Sequence, residues 1–271
     1  MTRASASRDD YVSANREAWN ASARYHRGNA QWRKLVAGFA TPGYSCLDEV
    51  ETAALRAIGV EGKDVAQICC NNGRELLSIG NMGAARCVGF DQSTEFLAQA
   101  YDLAAIAGRP CAFVEGDIYK TPPKYDSSFD LVVVTIGVFG WMPDLKSFFA
   151  VAARLLRPGG TLFIHEEHPV MNMFEPRTAT PMVPCASYFR EEPETGDMAI
   201  VYDGTPAGKT PGHYWFFHTL GDIFNACMGN RLTLAAFQEY STNINTVEYE
   251  IYTSGTVRYP MSYTLVATKG A

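Results

Sequence analysis

The sequence has no surplus of positive charge: 23 Lys and Arg stand against 29 Asp and Glu, a net charge of -6 over 271 residues. A field of that sign repels phosphate backbones and argues against nucleic acid as the main partner. Long apolar runs are missing as well. None approaches the roughly 20 residues that a membrane span requires. The seven cysteines show no repeating pair spacing, and their number is odd. Cys69, Cys87 and Cys111 sit inside apolar, strand-like runs, where cysteine acts as a small hydrophobe. That pattern points to a reducing compartment, and so to a cytoplasmic protein, rather than to a disulfide framework. Internal repeats and low-complexity segments are also absent.

What is present is a rhythm of helices and short apolar runs. After a disordered tail over residues 1–8, helices are expected over 9–25, 31–39 and 47–58. In the third of these, Leu47, Val50, Ala54, Leu55 and Ile58 form one apolar stripe. Arg16, Arg24, Arg27, Arg33 and Lys34 make this arm locally basic and read as a solvated helix face. From residue 64 strands alternate with helices. Strands are expected at 65–70, 87–91, 112–115, 130–136 and 161–164. Ser93 is placed to cap a helix that Gly108 closes. Another helix opens at Pro143-Asp144, with Leu145, Phe148, Phe149, Ala152 and Leu156 on one face. Strands separated by helices of this length imply an α/β fold, a doubly wound, mostly parallel sheet covered on both faces. Residues 1–60 are read as a helical arm or lid and 61–271 as the main domain. An irregular insertion over about 169–218 interrupts it, of a length usual for lids and binding elements. A helix over 219–229 and strands at 232–239 and 262–268 close the chain.

A parallel sheet of this kind binds ligands at the carboxyl ends of its strands. Three features fall there: the turn Cys70-Asn71-Asn72-Gly73, Asp91, and Gly116-Asp117-Ile118. Gly and Asn accept the positive φ that a tight turn needs. Asp91 is suited to accept both hydroxyls of a ribose. Asp117 can offer a carboxylate to an adenine amine, with Ile118 as an aliphatic wall.

The order of Val65 to Gly73, then Asp91, then Gly116-Asp117-Ile118, then residues 130–137, then Leu155-Leu156-Arg157-Pro158-Gly159-Gly160 resembles the class I S-adenosylmethionine-dependent methyltransferases, and more narrowly their small-molecule branch. The likeness covers about residues 60–165 and resumes in the closing helix and strands. It implies a seven-stranded sheet with an antiparallel last strand, S-adenosyl-L-methionine as cofactor, and a small-molecule acceptor. Cofactor contacts are then expected from Cys70, Asn71, Asn72, Gly73, Asp91, Gln92, Asp117, Ile118, Thr135 and Ile136. Trp19 and Tyr25 of the arm either close over the methionine portion or simply pack the arm onto the domain. The first motif departs from the family pattern: Gln67 stands where an acid is usual, and Cys69 and Asn71 where glycines are. A nicotinamide oxidoreductase is the competitor on a similar fold, but Gly-x-Gly-x-x-Gly and Tyr-x-x-x-Lys are both lacking. A cofactor-binding protein without catalysis is the other alternative.

Acceptor contacts are expected from the loops after the fourth and fifth strands and from the insertion: Phe139, Trp141, Tyr188, Trp215 and His218. The stretch His165-Glu166-Glu167-His168 concentrates chemistry at a strand end. Alternation places His165 and Glu167 on one side, Glu166 and His168 on the other. His165 and His168 are candidate general bases and Glu167 an orienting carboxylate. No spacing among His165, His168, His213 and His218 specifies a metal site, so none is expected. The reading is methyl transfer to a nitrogen or oxygen of a small, ring-containing metabolite. The oligomeric state is left open.

Overall fold

The computed structural model describes residues 6–178, 182–202, 204, 207–244 and 249–270. The expected tail lies outside the described residues as far as residue 5. By Ser7 the chain already caps a helix, its hydroxyl accepting from the Asp10 amide while the Asp10 carboxylate answers the Ser7 amide. Among the described residues the α-helices are α1 (Arg8–His26), α2 (Ala30–Phe39), α3 (Glu49–Ile58), α4 (Arg74–Asn81), α5 (Thr94–Ala107), α6 (Leu145–Leu155) and α7 (Leu220–Gly229). The strands are β1 (Asp64–Ile68), β2 (Arg86–Asp91), β3 (Ala112–Glu115), β4 (Phe129–Thr135), β5 (Leu156–Glu167), β6 (Glu194–Met198), β7 (Lys209–Trp215), β8 (Leu232–Tyr240) and β9 (Ser262–Lys269).

Seven strands form one sheet in the order β3-β2-β1-β4-β5-β9-β8. The first five run parallel, and β9 is inserted antiparallel between β5 and β8. The seven-stranded, mostly parallel, doubly wound architecture is the one expected. Ala66, Ile68, Val132, Val134, Leu162 and Ile164 face α6 and α7, against Phe148, Phe149, Leu155, Ile223 and Cys227. Val65, Leu131, Val133 and Phe163 face the other way, onto Leu55 of α3, Leu76 and Leu77 of α4 and Leu103 of α5. Two buried faces explain why β4 reads as an unbroken Val run rather than an alternation. Ser93 and Gly108 bound α5 as expected, and Thr219 caps α7.

Two segments differ from expectation. β5 starts at Leu156, directly after α6, so the turn at Arg157-Pro158-Gly159-Gly160, with Gly159 left-handed at φ 76°, bulges out within the strand rather than preceding it. The pairing of Phe129 with Leu156 captures it, and Arg157 reaches Asp64 at 2.7 Å and Asp130 at 2.6 Å, joining the starts of three strands. The insertion after β5 is not wholly irregular. β6 and β7 pair antiparallel there, and α1 lies on them: Asn15 Oδ1 accepts from the Tyr214 amide at 2.8 Å and its Nδ2 donates to the Tyr214 carbonyl at 3.1 Å. Further along α1, Ser22 Oγ accepts from the Ile200 amide at 3.0 Å and His26 Nε2 donates to the Ile200 carbonyl at 2.8 Å. The spacing of Asn15, Ser22 and His26 puts all three on one helix face. Near the β8–β9 connection, Met171, Phe174, Tyr249, Tyr252 and Met261 form a small separate core. Helical periodicity carries no sign of it. No helix among the described residues is long and apolar enough to cross a membrane.

Candidate functional site

The carboxyl ends of β1, β2, β3 and β4 open onto one cleft. After β1 the backbone makes a left-handed turn, with φ of 55° at Cys69, 50° at Asn71 and 71° at Gly73. Gly73 has a second reason to be glycine, since a Cβ there would lie 2.8 Å from the Phe113 ring. The turn delivers the Asn71 amide to Asp91 Oδ2 at 2.7 Å, while Asp91 Oδ1 accepts from the Ser93 amide at 2.9 Å. Burial pushes the Asp91 carboxyl up from the ordinary aspartate value, and these amide bonds oppose it. At the end of β3, Asp117 Oδ1 accepts from the Tyr119 amide at 3.0 Å. Its Oδ2 is buried without a hydrogen bond, with Lys120 Nζ 3.6 Å away. Ile118, beside it, belongs to the core.

β4 ends in a loop that Glu166 holds. Its carboxylate accepts from the amides of Gly137 and Val138, each at 2.6 Å, and of Phe139 and Glu167, each at 3.2 Å. Burial raises the Glu166 carboxyl above the usual range, and the converging amides oppose it. Next to the loop, Gln67 Nε2 donates to Thr135 Oγ1 at 2.9 Å, and the buried Gln67 Oε1 has no hydrogen-bond partner.

Aromatic rings roof the cleft. Trp141 lies edge-on to Trp19 and to Trp215, each with ring centroids 5.1 Å away, and 5.6 Å from His213. Tyr202 adds a ring 6.2 Å from Trp19. Gly140 admits this packing: a Cβ there would stand 2.2 Å from the Trp215 ring. The partly open cavity measures 1080 Å³, just above the usual range for a small-ligand site and roomy enough for a nucleoside-sized group plus an acceptor.

A family model described as a methyltransferase domain matches residues 66–164. That stretch is a methyltransferase domain. Ubiquinone biosynthesis O-methyltransferase of Photorhabdus laumondii is 31% identical over 108 residues, 40% of this chain and 44% of that protein. The chain thus aligns with less than half the length of this curated relative. Among solved structures, an S-adenosylmethionine-dependent methyltransferase from Mesorhizobium loti superposes with a TM-score of 0.59 at 22% identity, covering 81% of this chain and 97% of that one. The Burkholderia thailandensis 1,6-didemethyltoxoflavin-N1-methyltransferase, solved with its acceptor and S-adenosylhomocysteine, superposes with a TM-score of 0.57 at 16% identity, covering 100% of this chain and 94% of that one.

In the methyltransferase domain and its arm, Trp19, Cys70, Asn71, Asp91, Gln92, Asp117, Ile118, Thr135 and Ile136 all line the cleft. Asn72 and Gly73 shape the turn behind the wall. Tyr25 does not line the cavity, because its hydroxyl accepts from the Gly208 amide at 3.1 Å on the flank of the hairpin. Phe139, Trp141, Trp215 and His218 line the cavity too. Tyr188 does not, since its hydroxyl is turned to the Leu220 amide at 3.0 Å. The two histidines expected as bases need correction. His165 follows Phe163 onto the α3 face, and His168 leaves the strand to pair with Glu239 of β8 at 3.1 Å. Neither lines the cavity, whereas Glu166 and Glu167 both do.

His213, weighed in the sequence only as a metal ligand, reaches the cleft from the insertion. It lies on β7 opposite Gly196, shares a strand face with Trp215, and lines the cleft beside Trp141. Its Nδ1 is buried without a hydrogen-bond partner. Burial lowers its pKa, with Asp197 opposing, so the ring is neutral near pH 7. His218, by contrast, is tied down: Nε2 donates to the Met142 carbonyl at 2.8 Å. Sequence offers little signal for His213, because residues 209–215 do not alternate cleanly and include Pro211 and Gly212, so the segment does not read as a strand.

Proposed function

We propose that this chain transfers a methyl group from S-adenosyl-L-methionine to a nitrogen or oxygen of a small, ring-containing metabolite. The observation that carries the reading is the cleft itself: Asn71, Asp91, Asp117 and Ile118 converge at strand ends, under a roof of tryptophans. The residues present fit the cofactor. Asp117 Oδ2, buried and without a hydrogen bond, suits an exocyclic amine, and Ile118 offers the adenine ring an aliphatic face. Asp91, anchored by two amides, suits the ribose hydroxyls. Gln67 Oε1 and Trp19 stand at the remaining, amino-acid end.

When bound, the cofactor supplies an electrophilic methyl group on a sulfonium that carries its own leaving group. The protein therefore contributes alignment, exclusion of water and a base. Glu166 fixes the β4 loop that presents Phe139 and Trp141 to the acceptor. Trp19, Trp141 and Trp215 exclude water and offer electron-rich faces to positive charge. His213 accepts the proton that the acceptor loses. This replaces His165 and His168 in the catalytic role. An O-methyltransferase among the relatives and a ring-nitrogen methyltransferase among the structural neighbours are both consistent with such an acceptor.

Calorimetry with S-adenosylhomocysteine, followed by methyl transfer from labelled cofactor to a panel of phenols and nitrogen heterocycles, tests the proposal. Micromolar binding with transfer to at least one ring class is expected. No binding at high micromolar concentration sinks the reading, and binding without transfer to any panel member or to cell-extract metabolites leaves a cofactor-binding protein only.

A further inference from the structure

We propose that Asp48, Glu51 and His165 form a site for one divalent transition-metal cation of the zinc class, outside the cleft, where the first turn of α3 meets the end of β5. Asp48 caps α3, its Oδ1 accepting from the Glu51 amide at 2.7 Å. This i, i+3 relation fixes the two carboxylates on one side of the helix start. His165 reaches them because strand alternation sends it, like Phe163, to the α3 face. Its Nδ1 lies 3.7 Å from Glu51 Oε1 and 3.9 Å from Asp48 Oδ2. All three candidate ligand atoms fall within 4.8 Å of one another.

These separations are too long for hydrogen bonds. They suit ligands around a shared ion, since donors about 2.0–2.1 Å from zinc in a tetrahedral shell stand ~3.4 Å apart. Closing the two His165 separations by a few tenths of an ångström, and the widest pair from at most 4.8 Å by rotation of the exposed Asp48 side chain, completes the geometry. The burial supplies the independent argument. His165 is fully buried and neither of its ring nitrogens has a hydrogen-bond partner; Glu51 is 3% exposed and its Oε1 lacks one too. Groups in that condition are rare in folded proteins, because each carries the loss of its water with nothing in return. One cation satisfies His165 Nδ1 and Glu51 Oε1 together, and its two positive charges balance the two carboxylates. Asp48 is exposed and provides the way in, with open coordination positions left to water. An imidazole with two carboxylates and no thiolate favours zinc, manganese or ferrous ion over soft copper(I), and the imidazole disfavours calcium and magnesium. The bound ion would brace the strand end that carries Glu166 and Glu167 into the cleft.

The test uses the full chain stripped with chelator and titrated with zinc chloride by calorimetry, with cobalt(II) as an absorbing substitute. One equivalent is expected to bind with a micromolar or lower dissociation constant and to raise the melting temperature. Asp48→Asn keeps a cap oxygen at an exposed position, so it should fold normally and bind zinc at least tenfold more weakly. Glu51→Gln should do the same if it folds. Because the chain has seven cysteines, the cobalt form must lack a thiolate charge-transfer band. Zinc bound equally well by Asp48→Asn, a thiolate band, or no stoichiometric binding by the wild-type chain would each overturn the proposal.

Discussion

Replacing Asp91 by asparagine separates the two tasks of that carboxylate. In the wild-type chain one oxygen accepts from the Asn71 amide at 2.7 Å and the other from the Ser93 amide at 2.9 Å. Asparagine retains one acceptor and turns two N–H donors toward an N–H that also needs an acceptor. Leaving a buried amide unsatisfied costs about 1–3 kcal/mol, so unfolding in denaturant should show a loss of ~2 kcal/mol. The effect on cofactor binding should be larger. Hydrogen bonds from two ribose hydroxyls to a carboxylate are worth about 1.5–3 kcal/mol each. Losing most of one and weakening the other should raise the dissociation constant for S-adenosylhomocysteine roughly 100-fold, as 1.4 kcal/mol is a factor of ten. Calorimetry at a temperature where both proteins are fully folded keeps the two effects apart. An affinity within threefold of wild type, with the stability loss present, would show that Asp91 only supports the turn and that the ribose lies elsewhere.

Other consequences are equally direct. His213→Asn should lower turnover by about 10²–10⁴ while leaving cofactor affinity within a factor of two, the signature of a lost base. In the wild type, His213 is held below its ordinary value of 6.5 by burial, against the opposing charge of Asp197. Turnover should therefore hold down to that pH and fall only below it, and a flat acid limb would refute the assignment. The same sign governs stability. His213 and His218 both have folded-state pKa values lowered by burial. Their contribution is complete above the unfolded value near 6.5 and is lost as pH falls through the folded values, so the melting temperature should decline below about pH 6.5. Gly140→Ala drives a methyl group into the Trp215 ring. Overpacking of this kind costs about 1–3 kcal/mol, and it should raise the acceptor KM more than it weakens cofactor binding; an unchanged KM would place the acceptor away from Trp215. Asn15→Ala removes both bonds to the Tyr214 backbone, and limited proteolysis should then cleave the β6–β7 hairpin at least several times faster.

Much of the domain was legible because its elements are governed by local chemistry. Ser93, Asp144 and Thr219 cap helices that begin where the sequence indicates, and the unbroken Val run of β4 announces a strand buried on both faces. Asp91 and Asp117 were found for the same reason: a polar residue closing an apolar strand has to stand at a carboxyl end, where an open parallel sheet binds ligands. The hairpin of the insertion was not legible. Its strands are short, glycine-bearing and largely exposed, so hydrophobic alternation is weak, and they are held by Asn15, Ser22 and His26 from a helix nearly 200 residues away in sequence.

The histidines mark the boundary between the two kinds of information. Sequence alone determined that His165, Glu166, Glu167 and His168 occupy a strand end, because the apolar run before them ends there. It could not decide which of them meets the cavity. Alternation gives two sides, but which helix covers each side, and where the strand bends out of the sheet, depend on contacts between distant segments. Tertiary packing sent His165 beneath α3 toward Asp48 and Glu51, turned His168 to Glu239, left Glu166 to gather the amides of the β4 loop, and brought His213 over the cleft on a hairpin pinned by α1. Strand ends follow from local preference, whereas the partners of a side chain follow from the path of the whole chain.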